Sequence, residues 1–271
     1  MHLHNLTANI LSASLEEMNF LQRVLYILQT YYPNILEGVG NTLLISLVGT
    51  LIGLIIGVLT GLIRTNPTSK NPFIKGVQKC VNALIAVYVE IFRGTPMMVQ
   101  SMVIFWGFAI IAGGQTLPVI PSGILIVSIN TGAYMAEIVR GGIISIDKGQ
   151  FEGASSLGMT HTQSMFNVII PQMFRNILPS ISNEFVINVK DTSVLNVIGV
   201  YELYKIGDII IKGTFKTFET YFVICVIYFI LTFTITRILR FIEKKLAGNE
   251  NYTICGSQSN PEAEIKVRRE A

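Results

Sequence analysis

Three long stretches of this chain carry no charge. No Asp, Glu, Lys or Arg occurs between Glu37 and Arg64, between Arg93 and Glu137, or between Glu219 and Arg237. A helix that crosses a bilayer needs about 20 mostly apolar residues, because the hydrocarbon core is about 30 Å thick and a helix rises about 1.5 Å per residue. The first and third stretches hold one span each. The middle one holds two, with a hinge at Gly113-Gly114 and Pro118 to Pro121. Composition agrees: 51% of residues are apolar and 14% charged, with a mean hydropathy of +0.55, against about 25% charged in an average soluble domain. A soluble chain of this length lacks the core volume to bury such helices on every face. The expected fold is an all-α polytopic membrane helix bundle.

The spans follow in order. Residues 22–32 read as a weakly amphipathic interfacial helix that Pro33 ends. Span 1 covers about 38–63, with Gly49, Gly53, Gly57 and Gly61 on one slowly drifting helix face, where another helix can approach closely. Residues 75–92 read as a cytoplasmic or interfacial helix. Gly94 stops it, and Pro96 suits the first turn of span 2 at about 97–112, where the missing N–H costs nothing. Span 3 covers about 122–139, span 4 about 176–200 despite Glu184, Lys190 and Asp191, and span 5 about 221–239. The chain thus divides into an extracytoplasmic segment 1–34, a transmembrane domain 35–245 and a polar cytoplasmic tail 246–271 of low apolar content. No basic n-region followed by an apolar h-region occurs in residues 1–20, so the first span is expected to direct membrane insertion.

Orientation follows from Lys and Arg placement. Arg64, Lys70, Lys75 and Lys79 follow span 1; Arg140, Lys148 and Arg175 follow span 3; Arg237, Arg240, Lys244 and Lys245 close span 5. The opposite ends carry fewer cations. Five spans with the N-terminus outside and the C-terminus in the cytoplasm satisfy the rule.

Several classes of function are disfavoured. A formal net charge of +3 gives no reason to expect nucleic-acid binding. Cys80 and Cys225 sit in apolar stretches and Cys255 in the tail, so three cysteines form no closed framework. His2, His4 and His161 do not cluster with Cys or carboxylates, so no metal site is expected. No nucleophile, histidine and acid arrangement stands out, so no catalytic residue is assigned. A G-x-x-x-x-G-K-S/T phosphate loop is missing, so this chain is expected to bind no ATP.

The segment Phe151 to Pro171 is too polar to span and too patterned for a plain loop. Gly153, Ala154, Ser155 and Ser156 permit close contact with another protein, and Gly158 can end one short helix before a second begins. Glu152-Gly153-Ala154, three residues, Gly158, nine residues, then Val168-Ile169-Ile170-Pro171 resembles the cytoplasmic coupling motif of binding-protein-dependent ABC importer permeases, E-A-A, three residues, G, nine residues, I-x-L-P. Gly153 replaces the usual first Ala, Val168 the Ile and Ile170 the Leu, with the spacing intact. Val89 to Pro96, Ala133 to Gly142, and Lys190 to Ser193 leading to Ile198 to Leu203 are similar to polar amino acid permeases of the histidine/glutamine type. The resemblance covers about residues 35–245.

That resemblance implies a five-span core with coupling helices at 150–171, in which Glu152, Gly153, Ala154, Leu157 and Gly158 dock on an ATPase. It implies two permeases, identical or homologous, two cytoplasmic ATP-binding subunits that hold the ATP, an extracytoplasmic amino-acid-binding protein, and a place in a bacterial-type plasma membrane. Acids at bilayer depth are costly and face a water-filled path or a partner. Glu137 and Asp191 are therefore candidates for holding the α-ammonium or a cationic side chain, with Asn188, Thr192, Ser193 and Met97 completing the path. Glu184 lies two turns before Asp191. For each acid a structural pairing is the competing reading: Glu137 with Arg140 at the membrane boundary, Asp191 in an interhelical contact. Arg93 reads as an anchor at the cytoplasmic interface. The rival functions are a proton-coupled secondary transporter using Glu137 and Asp191, and an ABC permease for another small zwitterion or cation.

Overall fold

The computed structural model describes residues 15–247. The expectations for His2, His4, Cys255 and the rest of the tail lie outside that range. The elements are α1 (Phe20–Thr65), α2 (Pro72–Gly94), α3 (Met97–Ile111), α4 (Val119–Ile144), α5 (Lys148–Ser156), α6 (His161–Ser164), a π turn (Met165–Ile169), α7 (Ile170–Asp191), a 3-10 turn (Thr192–Ile198), α8 (Leu203–Thr214) and α9 (Thr217–Ala247). Among the described residues there is no strand.

α1 starts at a reciprocal cap. The Asn19 side chain accepts from Gln22 N–H, and the Gln22 side chain accepts from Asn19 N–H, both at 3.0 Å. The helix then continues past Pro33, so the expected stop at Pro33 is not made and the boundary at 34/35 falls inside a helix. Packing on both sides of the proline explains this. Val24 and Ile27 before it and Ile35 after it join one buried cluster with Leu203, Ile206 and Ile210 of α8 and Val223 and Ile224 of α9. Arg23 adds a 2.8 Å ion pair to Glu219. Those contacts offset the missing hydrogen bond of the proline.

The glycine stripe is the bundle's central seam. A Cβ on Gly49 would lie 2.6 Å from Val127, on Gly53 2.8 Å from Thr131, on Gly57 2.2 Å from Met135 and on Gly61 2.6 Å from Val139. The partners advance with the glycines, so α1 and α4 run parallel and the segment between them must recross the bilayer. α2 and α3 make that crossing, with a bend of 115° between them. α7 packs antiparallel to α4. Ile177 lies beside Gly142, Asn188 beside Thr131 and Leu195 beside Gly123. From Gly142 back to Gly123 is about 28 Å at about 1.5 Å per residue, a full hydrocarbon thickness. α7 with its 3-10 turn therefore crosses despite its charges. α9 returns antiparallel to α7, with Lys190 sharing a groove with Phe229 and Thr232, and Pro179 one with Leu239 and Glu243. Five crossings result, and the two ends of the described chain lie on opposite sides.

Two polar clusters fix the seams. Asn188 Nδ2 donates to Thr50 Oγ1 at 2.7 Å and to Thr131 Oγ1 at 2.9 Å, tying α1, α4 and α7 together. Past the N-terminal end of α4, the fully buried Glu202 caps α8. It accepts from Tyr204 N–H, Lys205 N–H and Tyr228 OH. Burial pushes this carboxyl above the usual range, while those three donors pull it back.

Candidate functional site

The end of α2 is buried in the membrane and does not lie at its surface. Tyr88 OH donates to Ile129 O at 2.6 Å. Asn130 Nδ2 donates to Gln100 Oε1 at 2.8 Å, and Gln100 Nε2 donates to Phe92 O at 3.0 Å and Thr95 O at 2.9 Å. Ile129 and Asn130 are near the middle of α4. The unpaired carbonyls at the end of α2 thus find donors inside the bundle, as backbone at this depth must. The reading of residues 75–92 as a cytoplasmic or interfacial helix is corrected for its last turns. Arg93 moves with it: its guanidinium lies 5.5 Å from the ring centre of Tyr134, well inside α4 and away from the cytoplasmic interface.

Here the chain forms an open cavity of about 480 Å³, lined by Arg64, Ala86, Val89, Glu90, Arg93, Gly94, Tyr134 and Glu137. Its floor is an ionic triad. Glu137 Oε1 accepts from Arg64, and Oε2 accepts from Arg140 at 2.7 Å. Arg64 sits just beyond the glycine seam, so the α1–α4 packing carries it to Glu137.

Of the expected path residues, Glu137 alone lines this cavity, with both oxygens taken by the chain's own guanidinium groups. Asn188 is buried in the seam described above. Thr192 is fully buried and donates to Val189 O at 3.0 Å. Met97 packs on the cluster around Ile45, Phe105 and Ile126. Ser193 is half-buried and Asp191 exposed. Asp191 lies one turn from Asn188, so it stands near mid-bilayer depth, as do Lys190, Glu90 and Arg93. Exposed charge at that depth must face water or another protein. Glu90, Arg64 and Tyr134 were not among the path residues expected from sequence. Glu90 lies on an amphipathic helix and reads as an ordinary solvated charge.

Just past the C-terminal end of α4 the chain turns an elbow. Asp147 caps α5 by accepting from Gly149 N–H at 2.7 Å. Met159 N–H donates to Ala154 O at 3.1 Å and Gly158 N–H to Ser155 O at 3.0 Å, the bond pair of a Schellman stop, with Gly158 at φ +76°. Thr160 and Gln163 then cap α6 reciprocally. Ala154 is buried. Glu152 and Gly153 are exposed, and Leu157 is 79% exposed. A Cβ on Gly153 would meet nothing within 4 Å, so glycine in place of the usual alanine leaves no hole in the fold. Gln172 Nε2 donates to Gln150 Oε1 at 3.0 Å, linking α5 to the start of α7.

Comparison with known proteins fits this architecture. A family model described as binding-protein-dependent transport system inner membrane component matches residues 73–248. The chain is 36% identical over 214 residues to the glutamine transport system permease protein GlnP of Escherichia coli (strain K12), covering 79% of this chain and 93% of that one. It is 39% identical over 164 residues to the L-cystine transport system permease protein TcyB of Bacillus subtilis (strain 168), covering 60% of this chain and 69% of that one. A crystal structure of an amino acid ABC transporter with histidines superposes with a TM-score of 0.70 at 36% identity, over 84% of this chain and 99% of that chain. The parallel α1–α4 seam, the five crossings, the elbow and these matches together place the chain in the family of binding-protein-dependent transport system inner membrane components, the permease subunits of ABC transporters.

Proposed function

We propose that this chain is the membrane-spanning subunit of an ATP-driven importer that carries a polar amino acid into the cytoplasm, and that the α5–α6 elbow docks on a cytoplasmic ATP-binding subunit. The observation that carries the reading is the elbow itself. Its stop at Gly158 is built by backbone bonds, Ala154 anchors it inward, and Glu152, Gly153 and Leu157 are left uncovered at the end of the bundle that the Lys and Arg placement assigns to the cytoplasm. Relatives named for glutamine, L-cystine and arginine transport support an amino-acid substrate.

In this reading two permeases, this chain with a second copy or a homologue, bear on two ATPase subunits, which hold the ATP. An extracytoplasmic binding protein delivers the amino acid. Closure of the ATPases pushes on both elbows. The gap-free α1–α4 seam and the Gln150–Gln172 bond pass that push to the crossings as rigid-body motion. The exposed mid-depth charges Glu90, Arg93, Lys190 and Asp191 then line the path between the two permeases.

The test is purification from native membranes followed by an ATPase assay in lipid, with and without amino-acid-loaded binding protein. Co-purification of an ATPase stimulated by one loaded binding protein is expected. Absence of any nucleotide-binding partner, together with proton-driven uptake, would give the result to the secondary-transporter reading.

A further inference from the structure

Glu90 and Arg93 are the ionic groups of this cavity that the chain's own salt bridges do not engage, with Glu184 an acid that the field of Arg93 reaches. Neither forms a salt bridge among the described residues, whereas Glu137 on the cavity floor is held by two arginines. They stand three residues apart in the last turns of α2, so they share a helix face with β-carbons about 5–6 Å apart. Arg93 is held over Tyr134 at 5.5 Å, a contact that positions a guanidinium without neutralising it. The carboxylate carbon and the ammonium nitrogen of an amino acid are held about 2.5 Å apart on one α-carbon. Two long side chains of opposite charge, rooted one turn apart and not bonded to each other, can converge on that pair. At Gly94 a Cβ would meet nothing within 4 Å, so the cavity wall stays open there.

We propose that Arg93 holds the α-carboxylate and Glu90 the α-ammonium of the transported amino acid, making this cavity a site for the amino-acid backbone. The proposal rests on the amino-acid importer reading above. A site of this kind is indifferent to the side chain, so discrimination among amino acids falls to other residues of the path and to the binding protein.

The test uses the permease–ATPase complex without binding protein. Binding of radiolabelled L-glutamine, L-cystine and L-arginine is measured by equilibrium dialysis, followed by competition with the α-amide and the N-acetyl form of whichever amino acid binds. The wild-type complex should bind the zwitterion roughly 10- to 100-fold more tightly than either blocked form, as expected for one charge-assisted contact each. Arg93→Gln should weaken the parent amino acid by a similar factor and abolish discrimination against the α-amide alone. Glu90→Gln should do the same for the N-acetyl form alone. Arg93→Lys, which keeps the charge and loses the fork, should fall between. Co-purification of the ATPase with each variant reports that it has folded and assembled. Full affinity and discrimination in Arg93→Gln and Glu90→Gln would overturn the proposal, as would a wild-type complex that binds none of the three. ATP hydrolysis stimulated by loaded binding protein is read in parallel. If it holds while the variants bind normally, the site fails and the importer reading survives; if no ATPase co-purifies, the importer reading has failed.

Discussion

Gly57 leaves the least room of any residue in the seam. A Cβ there would come within 2.2 Å of Met135 Cβ and 2.7 Å of the Met135 carbonyl carbon, so backbone must move to admit it. Gly57→Ala should destabilise the chain by about 1–3 kcal/mol. Gly107→Ala, on a face with nothing within 4 Å, should be neutral or slightly stabilising. Thermal unfolding of the two variants in detergent separates them. Asp191 makes a second residue-scale case. It is exposed in the lone chain near mid-depth and makes no ion pair among the described residues. Asp191→Asn should lower uptake severalfold while membrane levels stay close to wild type; equal loss of both would assign it a purely structural contact. The sequence exposed this residue and the glycine stripe but not their partners, because the register between α1 and α4 is a tertiary fact. It did not expose Glu90, whose depth is set by Tyr88 reaching Ile129 O.

Among the elements, those defined by long apolar runs were legible: spans 1, 3 and 5 correspond to α1, α4 and α9. α7 was legible as span 4 from the mostly apolar residues 176–200, but its three charges blurred the signal, and packing along α4 is what marks it as a crossing. The length of α1 and the depth of α2 were not legible. A proline normally ends a helix, and an amphipathic helix normally lies at a surface; in both cases contacts with distant elements overrode the local signal. The elbow was the most readable of the polar elements, because its geometry is written in local chemistry: Asp147, Gly158, Thr160 and Gln163 each satisfy backbone groups close in sequence. Gly158→Asp places a side chain at φ +76°, at a cost of about 1–2 kcal/mol. The chain should still insert in the membrane, and its yield of co-purified ATPase should drop several-fold. Wild-type recovery of the ATPase from this variant would remove the elbow from the docking surface.

For the whole molecule, the parallel α1–α4 seam, α7 antiparallel to α4 and α9 antiparallel to α7 require five crossings, an odd number. That can be tested without any transport assay. In a background with Cys80, Cys225 and Cys255 replaced by Ser, Gln115→Cys should react with a membrane-impermeant thiol reagent on intact cells. Ser155→Cys should react only after the membrane is opened. Labelling of both from the same side would break the five-crossing account. In the proposed function, the same architecture makes α1 and α4 one rigid body with the elbow at its cytoplasmic end and the charged mid-depth face at its flank, and this would join ATPase docking to substrate movement. Leu157 is the point where that joint can be cut without harming the fold, since its side chain is 79% exposed. The most direct measurement is ATP-driven uptake of radiolabelled amino acid by proteoliposomes holding the complete complex, with wild type against Leu157→Asp. The account predicts that Leu157→Asp, correctly inserted and as heat-stable as wild type, loses at least about tenfold in uptake, the effect of burying an unpaired charge in an interface. Uptake at the wild-type rate would contradict it.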